Sequence, residues 1–264
     1  MKNKDMMNQS EMPKEPSKQE REISSEAYRK LMDQLRIELV KTDRHQDLLK
    51  TAAHLEVEDL SMIVHAIAPQ GDGTTKRLLV TDAALEAMGI DKENFLQDAI
   101  KASERNHPAG MEQLSSFLFG MNDGMASQLY VASMPDMAYG AGIILYPDFM
   151  EKAAEQIDGD FYVLPSSVHE VLLLRDDGAI SLNDLKEIVH SVNRTEVAYE
   201  DYLSDNVYHF DAAERKLEVG EKFEERKQHE KESRHSILGE LSSNKAAAKT
   251  PVEKATRKKD EMAL

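Results

Sequence analysis

The residues with most chemical reach sit in one short stretch, Leu164-Pro165-Ser166-Ser167-Val168-His169-Glu170-Val171. It brings two hydroxyls, an imidazole and a carboxylate to the mouth of an apolar run, the residue types that nucleophilic and acid–base catalysis use. In an extended chain Ser167 and His169 share one face, and Val168 and Glu170 the other. At ~3.3 Å per residue, Ser167 and His169 then stand roughly 7 Å apart. That span is too long for direct proton transfer, so a Ser–His pair here needs an acid or amide from another element. Asp205 and Asn206 are the candidates, from the second polar cluster Asp201-Tyr202-Leu203-Ser204-Asp205-Asn206-Val207-Tyr208. Taken alone, that cluster reads as an Asx or Ser turn into a hairpin. The candidate patch is therefore Ser166, Ser167, His169, Glu170, Asp205 and Asn206. Two other readings compete with catalysis. Pro165 and the serines shape a turn while His169 and Glu170 make structural hydrogen bonds, or the same side chains hold a ligand.

Other chemistries lack their residues. Without cysteine there is no disulfide, thiolate zinc site, iron–sulfur cluster or cysteine nucleophile. No two of the histidines (45, 54, 65, 107, 169, 190, 209, 229 and 235) lie within four positions, so no paired metal-ligand spacing exists and no metal is expected. Gly71-Asp72-Gly73 lacks the further glycines of a phosphate cradle, and neither Gly-Lys-Ser/Thr nor a Gly-x-Ser-x-Gly elbow occurs. No cofactor is expected.

Positioning these residues falls to a central segment with a strong charge bias. Of the 33 basic and 49 acidic side chains, residues 25–220 hold 17 and 35, a net −18 against −16 for the whole chain. Such a surface repels phosphate backbones, which argues against nucleic-acid binding. Residues 1–24 carry two prolines and little apolar side chain, and are expected to be disordered. Residues 221–264 read as a charged tail, helical or disordered, with Phe223, Ile237 and Leu238 as its apolar anchors near the start. No apolar run approaches the ~20 residues of a membrane span, and no secretory leader is visible at Met1, so a cytoplasmic protein is expected.

Periodicity then assigns elements. Tyr28, Leu31, Met32, Leu35 and Leu39 fall on one helical face. Met62–Ala68 and Arg77–Val80 read as strands joined across Gly71-Asp72-Gly73. Thr81 or Asp82 caps a helix ended by Gly89, Asp91 caps the next, and Pro147 opens a third. Leu129–Ala132, Ala141–Tyr146, Phe161–Leu164 and Val168–Leu174 read as strands. Ser181 with Asp184 starts a further helix, and Val207–Phe210 with Lys216–Val219 make a closing hairpin. Strands in sequential pairs, broken by single helices, predict an α+β fold with a mostly antiparallel sheet.

The stretch Phe161 to Leu174, with Tyr146-Pro147, Leu203 to Asp211, Leu78 to Asp82 and Met88-Gly89-Ile90, resembles an uncharacterised domain-of-unknown-function family. Its members come from anaerobic, largely gut-dwelling Firmicutes and often lie near mobile-element genes. The resemblance covers roughly residues 35–220 and departs at two points. Residues 1–24 stand where members usually carry a further N-terminal module, and Met88 stands where an aromatic is common. It supports the α+β fold and implies no mechanism, because the family has no established activity. The function expected is that of a non-enzymatic binding or accessory protein with a protein partner. The alternative is a hydrolase or small-ligand-processing enzyme built on Pro165–Glu170.

Overall fold

A computed structural model describes residues 18–114, 128–136, 138–165 and 167–247. Helix α1 (Lys18–Met32) leads into a first sheet of β1 (Leu35–Lys41), β2 (His54–Val57), β3 (Leu60–Pro69) and β4 (Thr75–Leu79). A short helix α2 (Gln46–Leu49) lies between β1 and β2. Strand β3 is central: β1 pairs with one edge, and β2 and then β4 occupy the other, all antiparallel. The helical face expected from Tyr28 to Leu39 is therefore split. Its helix ends at Met32, while Leu35, Ile37 and Leu39 are the buried side of a strand that alternates with Arg36 and Glu38. A spacing of four residues satisfies both periods, and only pairing with β3 decides between them.

Next come α3 (Asp82–Met88) and α4 (Lys92–Asn106), each started by the residue the sequence nominates. Thr81 Oγ1 accepts the Ala84 amide at 3.2 Å, and Asp91 Oδ1 that of Asn94 at 2.9 Å. Gly89, at φ 66°, ends α3 in the left-handed region that glycine tolerates.

The second sheet runs β10-β9-β7-β8-β6-β5, again antiparallel throughout. Its strands are β5 (Gly110–Gln113), β6 (Leu129–Ser133), β7 (Phe161–Leu164), β8 (Val171–Arg175), β9 (Tyr208–Asp211) and β10 (Lys216–Val219). The fold is α+β. Strand β7 is buried on both faces. Phe161 and Val163 join the main core with β1, β3, α4 and α5 (Pro147–Ile157). Tyr162 and Leu164 pack against Leu182, Leu185 and Val189 of α6 (Leu182–Thr195). The expected strand at Ala141–Tyr146 is instead a 3-10 helix, Gly140–Leu145. A short apolar run fits either element. Here a Cβ on Gly140 would overlap Ser133 and the His169 carbonyl, and one on Gly142 would press on Ile37, so the segment is wedged against β1 and β6.

Helix α7 (Gly220–Ala247) starts in the core. A Cβ on Gly220 would stand 2.5 Å from Leu182, which lets α7 abut α6. Phe223 stacks on the His209 ring at 3.5 Å, and Asp211 accepts from Arg226 at 2.9 Å and from Lys227 at 2.8 Å. Likewise α1 starts at Lys18, inside the segment 1–24. Residues 1–17 and residues 248–264 of the charged tail lie outside the described residues.

The two sheets meet at Asp59, in the turn between β2 and β3. Its carboxylate accepts from Ser204 Oγ at 2.7 Å, from Lys41 Nζ at 3.2 Å and from the buried Tyr208 hydroxyl. Burial would raise the Asp59 pKa, but hydrogen bonds from Tyr208, Ser204 and Asn206 and the Lys41 charge outweigh it and hold the group below its ordinary range. Replacing Tyr208→Phe removes one donor to a carboxylate and is expected to lower stability by about 1.5–3 kcal/mol. Urea unfolding of the two proteins measures this; an unchanged midpoint would show that the sheets do not depend on this bond.

Candidate functional site

Pro165 and residues 167–170 lie in a loop between β7 and β8, not at the start of a strand; β8 begins at Val171. The loop is held from both sides by backbone. Val168 N–H donates to the Asp201 carbonyl at 2.9 Å, Ser204 N–H to the Pro165 carbonyl at 3.1 Å, and Ala141 N–H to the Val168 carbonyl at 3.1 Å. Ser133 Oγ adds a 2.7 Å bond to the His169 carbonyl. The buried backbone groups of the loop are thus satisfied by elements far away in sequence.

His169 is about a third exposed and uses both ring nitrogens. Nδ1 accepts the Tyr139 backbone N–H at 3.3 Å, which leaves Nε2 to carry the proton of the neutral ring and donate it to Asp201 Oδ1 at 3.1 Å. Ser167 does not face the imidazole. Its Oγ accepts the His169 backbone N–H at 3.1 Å, a Ser turn within the loop. Glu170 is half-buried and has no hydrogen-bond or ion-pair partner among the described residues. Ser166 lies outside them.

Asp205 and Asn206, the acid and amide nominated for this site, go elsewhere. Asp205 accepts from Asn193 Nδ2 at 2.8 Å and lies 3.3 Å from His190. Asn206 donates its backbone N–H to Ser204 Oγ at 3.0 Å, and its side chain bonds Asp59. The acid that reaches His169 is Asp201, the first residue of the same polar cluster. The signal for it was present in the sequence as one carboxylate among several, and which one arrives is set by the pairing of Ser167 with Tyr202.

Sequence reasoning missed Tyr139 and the group behind it. Tyr139 adopts φ 59°, a left-handed conformation that is strained for a residue with a Cβ. It places the ring 5.7 Å from that of His169 and under the Arg77 guanidinium at 3.9 Å. Arg77 also donates to the Tyr139 hydroxyl, to Glu38 and, at 3.1 Å, to His65 Nδ1. A polar chain therefore runs Glu38–Arg77–Tyr139–His169–Asp201, from the first sheet to the loop of the second. No local pattern links residues 38, 77 and 139. Among the described residues, no group of three His, Asp or Glu side chains is arranged to hold a metal ion, and no helix is long and apolar enough to cross a membrane.

The model of a family of unknown function, DUF5688, matches residues 4–212. The chain belongs to DUF5688. The match takes in the loop 165–170, Asp201 and the polar chain leading to it, and it reaches back into the segment 1–24. No curated protein and no solved structure matches this DUF5688 chain.

The electrostatics of the DUF5688 site are uneven. Burial, aided by the Arg77 charge, pushes His65 down to about 4, so its 3.3 Å approach to Glu38 is not an ion pair at neutral pH. Glu38 is raised, chiefly by burial, against the lowering pull of Arg77. His107 is lowered too, by burial and by Arg36. For both histidines the unfolded chain binds protons that the folded chain does not. Their stability contribution is whole above the ordinary histidine pKa and is lost as pH falls toward the folded value. Glu38 acts with the opposite sign in the carboxylate range. From His65 alone, stability is expected to drop by about 2 kcal/mol between pH 7 and pH 5. A His65→Gln variant, followed by urea unfolding at both pH values, should lose correspondingly less; an equal loss in both proteins would assign the acid sensitivity elsewhere.

Proposed function

We propose that this chain is a non-enzymatic binding or accessory protein that acts through protein–protein contacts. The observation that carries the reading is the state of His169. Both of its ring nitrogens and the Ser167 hydroxyl are spent on holding the loop before β8, so His169 has no free nitrogen to take a proton from Ser167. The charge on residues 25–220, 17 basic against 35 acidic side chains, favours a partner with a basic face. Helix α7 offers a further surface. At about 1.5 Å per residue its 28 residues extend roughly 42 Å. It packs on β9 and β10 at its start, and residues 231–234 are exposed. We place such a protein in the cytoplasm, with a mobile-element locus as its genetic setting.

A second reading rests on the His169–Asp201 pair, whose hydrogen bond and partial exposure suit acid–base work on a small ligand. The rival readings separate in one design. Tagged full-length chain and a version ended after Glu232, which keeps the Phe223, Arg226 and Lys227 contacts, are used to capture partners from native cytoplasm. The identified partner is then titrated against the pure chain at low and high salt. A basic-faced partner that binds wild type and His169→Ala equally, and weakens as salt rises, supports the proposal. A partner whose binding ignores salt, or no partner at all, overturns it.

A further inference from the structure

A cleft of about 320 Å³ lies between the Thr42–Arg44 turn, the end of α6 and the loop that follows. Arg44, Asn193, Arg194, Tyr199, Tyr202 and Asp205 line it. Its size falls at the lower end of the range of small-molecule sites. Two features of the lining point to one kind of occupant.

The first is unpaired positive charge in an acidic protein. Arg36, Arg77, Arg105, Arg175, Arg215 and Arg226 each pair with a carboxylate. Arg29 and Arg234, exposed on α1 and α7, have no carboxylate ion pair among the described residues, and neither do Arg44 and Arg194, which both line this cleft. Arg44 instead lies over the Tyr202 ring at 4.1 Å and the Tyr199 ring at 4.8 Å. Stacking occupies the flat faces of a guanidinium and leaves its in-plane N–H donors for an anion. Asp205 also lines the cleft; its carboxylate accepts from Asn193, His190 and Tyr202 and forms no ion pair with either arginine, so the two guanidinium groups outnumber it.

The second is Tyr199, 79 % exposed at the rim, an aromatic platform with nothing packed over most of it.

We propose that this cleft binds a nucleoside monophosphate. The phosphate lies on Arg44 and Arg194, and the base stacks on Tyr199. The cleft then supplies charged donors for the phosphate and a π-face for the base. The site is separate from His169 and stands whether or not the protein-binding reading holds.

The test uses the full chain and calorimetric titration with AMP, GMP, CMP and UMP, alongside inorganic phosphate and the free nucleosides. At least one nucleoside monophosphate should bind more tightly than both inorganic phosphate and its own nucleoside. Arg194→Ala and Arg44→Ala should each weaken it by roughly tenfold or more, the loss expected for a charged hydrogen-bonding partner. Tyr199→Ala should bring the nucleotide's affinity down toward that of inorganic phosphate. Arg194 and Tyr199 are exposed, so their variants should keep the wild-type melting temperature and remain interpretable if Arg44→Ala does not. No binding of any nucleoside monophosphate below about 1 mM overturns the proposal. So does binding that survives both arginine substitutions, or inorganic phosphate binding as tightly as every nucleotide.

Discussion

A half-buried carboxylate in the turn between β2 and β3 joins the two sheets of this protein. Asp59 has left much of its water behind, and a charge in that position is tolerable only if donors surround it. Tyr208 comes from β9, Ser204 and Asn206 from the loop before β9, and Lys41 from the end of β1. Four donors from two sheets therefore converge on one group. The burial that would raise its pKa is also what strengthens each of those bonds. Because Ser204 and Asn206 are anchored there, the course of the loop 201–206 is set by Asp59. That loop delivers Asp201 to His169 on one side and Asp205 to Asn193 on the other. Both sites on this molecule inherit their geometry from the sheet-to-sheet contact.

Helix α7 extends the same logic to the chain's last described element. His209, opposite Tyr162 in the β7–β9 ladder, is fully buried, and its Nε2 lies 3.0 Å from Asp176. Phe223 covers the ring, and Arg226 and Lys227 neutralise Asp211 and Glu218 beside it. Asp211 is held well below the carboxylate range; burial works against this, and the bonds from Lys227 and Arg226 prevail. The first turns of a helix that reads as a solvated, mixed-charge tail thus complete the core of residues 25–220. Beyond Glu230 the helix holds itself by contacts such as Gln228 with Glu232, which by themselves stabilise little.

Much of the architecture was legible from local chemistry. The caps at Thr81, Asp91 and Ser181, the stop at Gly89, Pro147 at the head of α5 and the hairpin across Gly71-Asp72-Gly73 are all properties of a few neighbouring residues. Such features act within one turn of chain, so composition and spacing are enough to read them. The errors fall where two periods agree. Leu35 and Leu39 fit a helix face and a strand face equally, and Ala141–Tyr146 is apolar at every position but Gly142. Pairing with β3 in one case, and close approach to Ser133, His169 and Ile37 in the other, chose the outcome.

The candidate site divides the same way. That Pro165 and Ser167 sit in a turn beside a buried strand follows from residue types alone; His169, expected inside the strand that follows, lies in the loop before it. That the carboxylate reaching His169 is Asp201 rather than Asp205, that Ser167 bonds backbone rather than imidazole, and that Glu38, Arg77 and Tyr139 stand behind the ring are decisions of the tertiary structure. So is the gathering of Arg44, Asn193, Arg194 and Tyr199 around one cleft. A side chain's partner is fixed by where strands cross in space, and hydrogen bonds reach only about 3 Å. Sequence spacing constrains a chain locally, while these contacts join residues 30 to 150 positions apart.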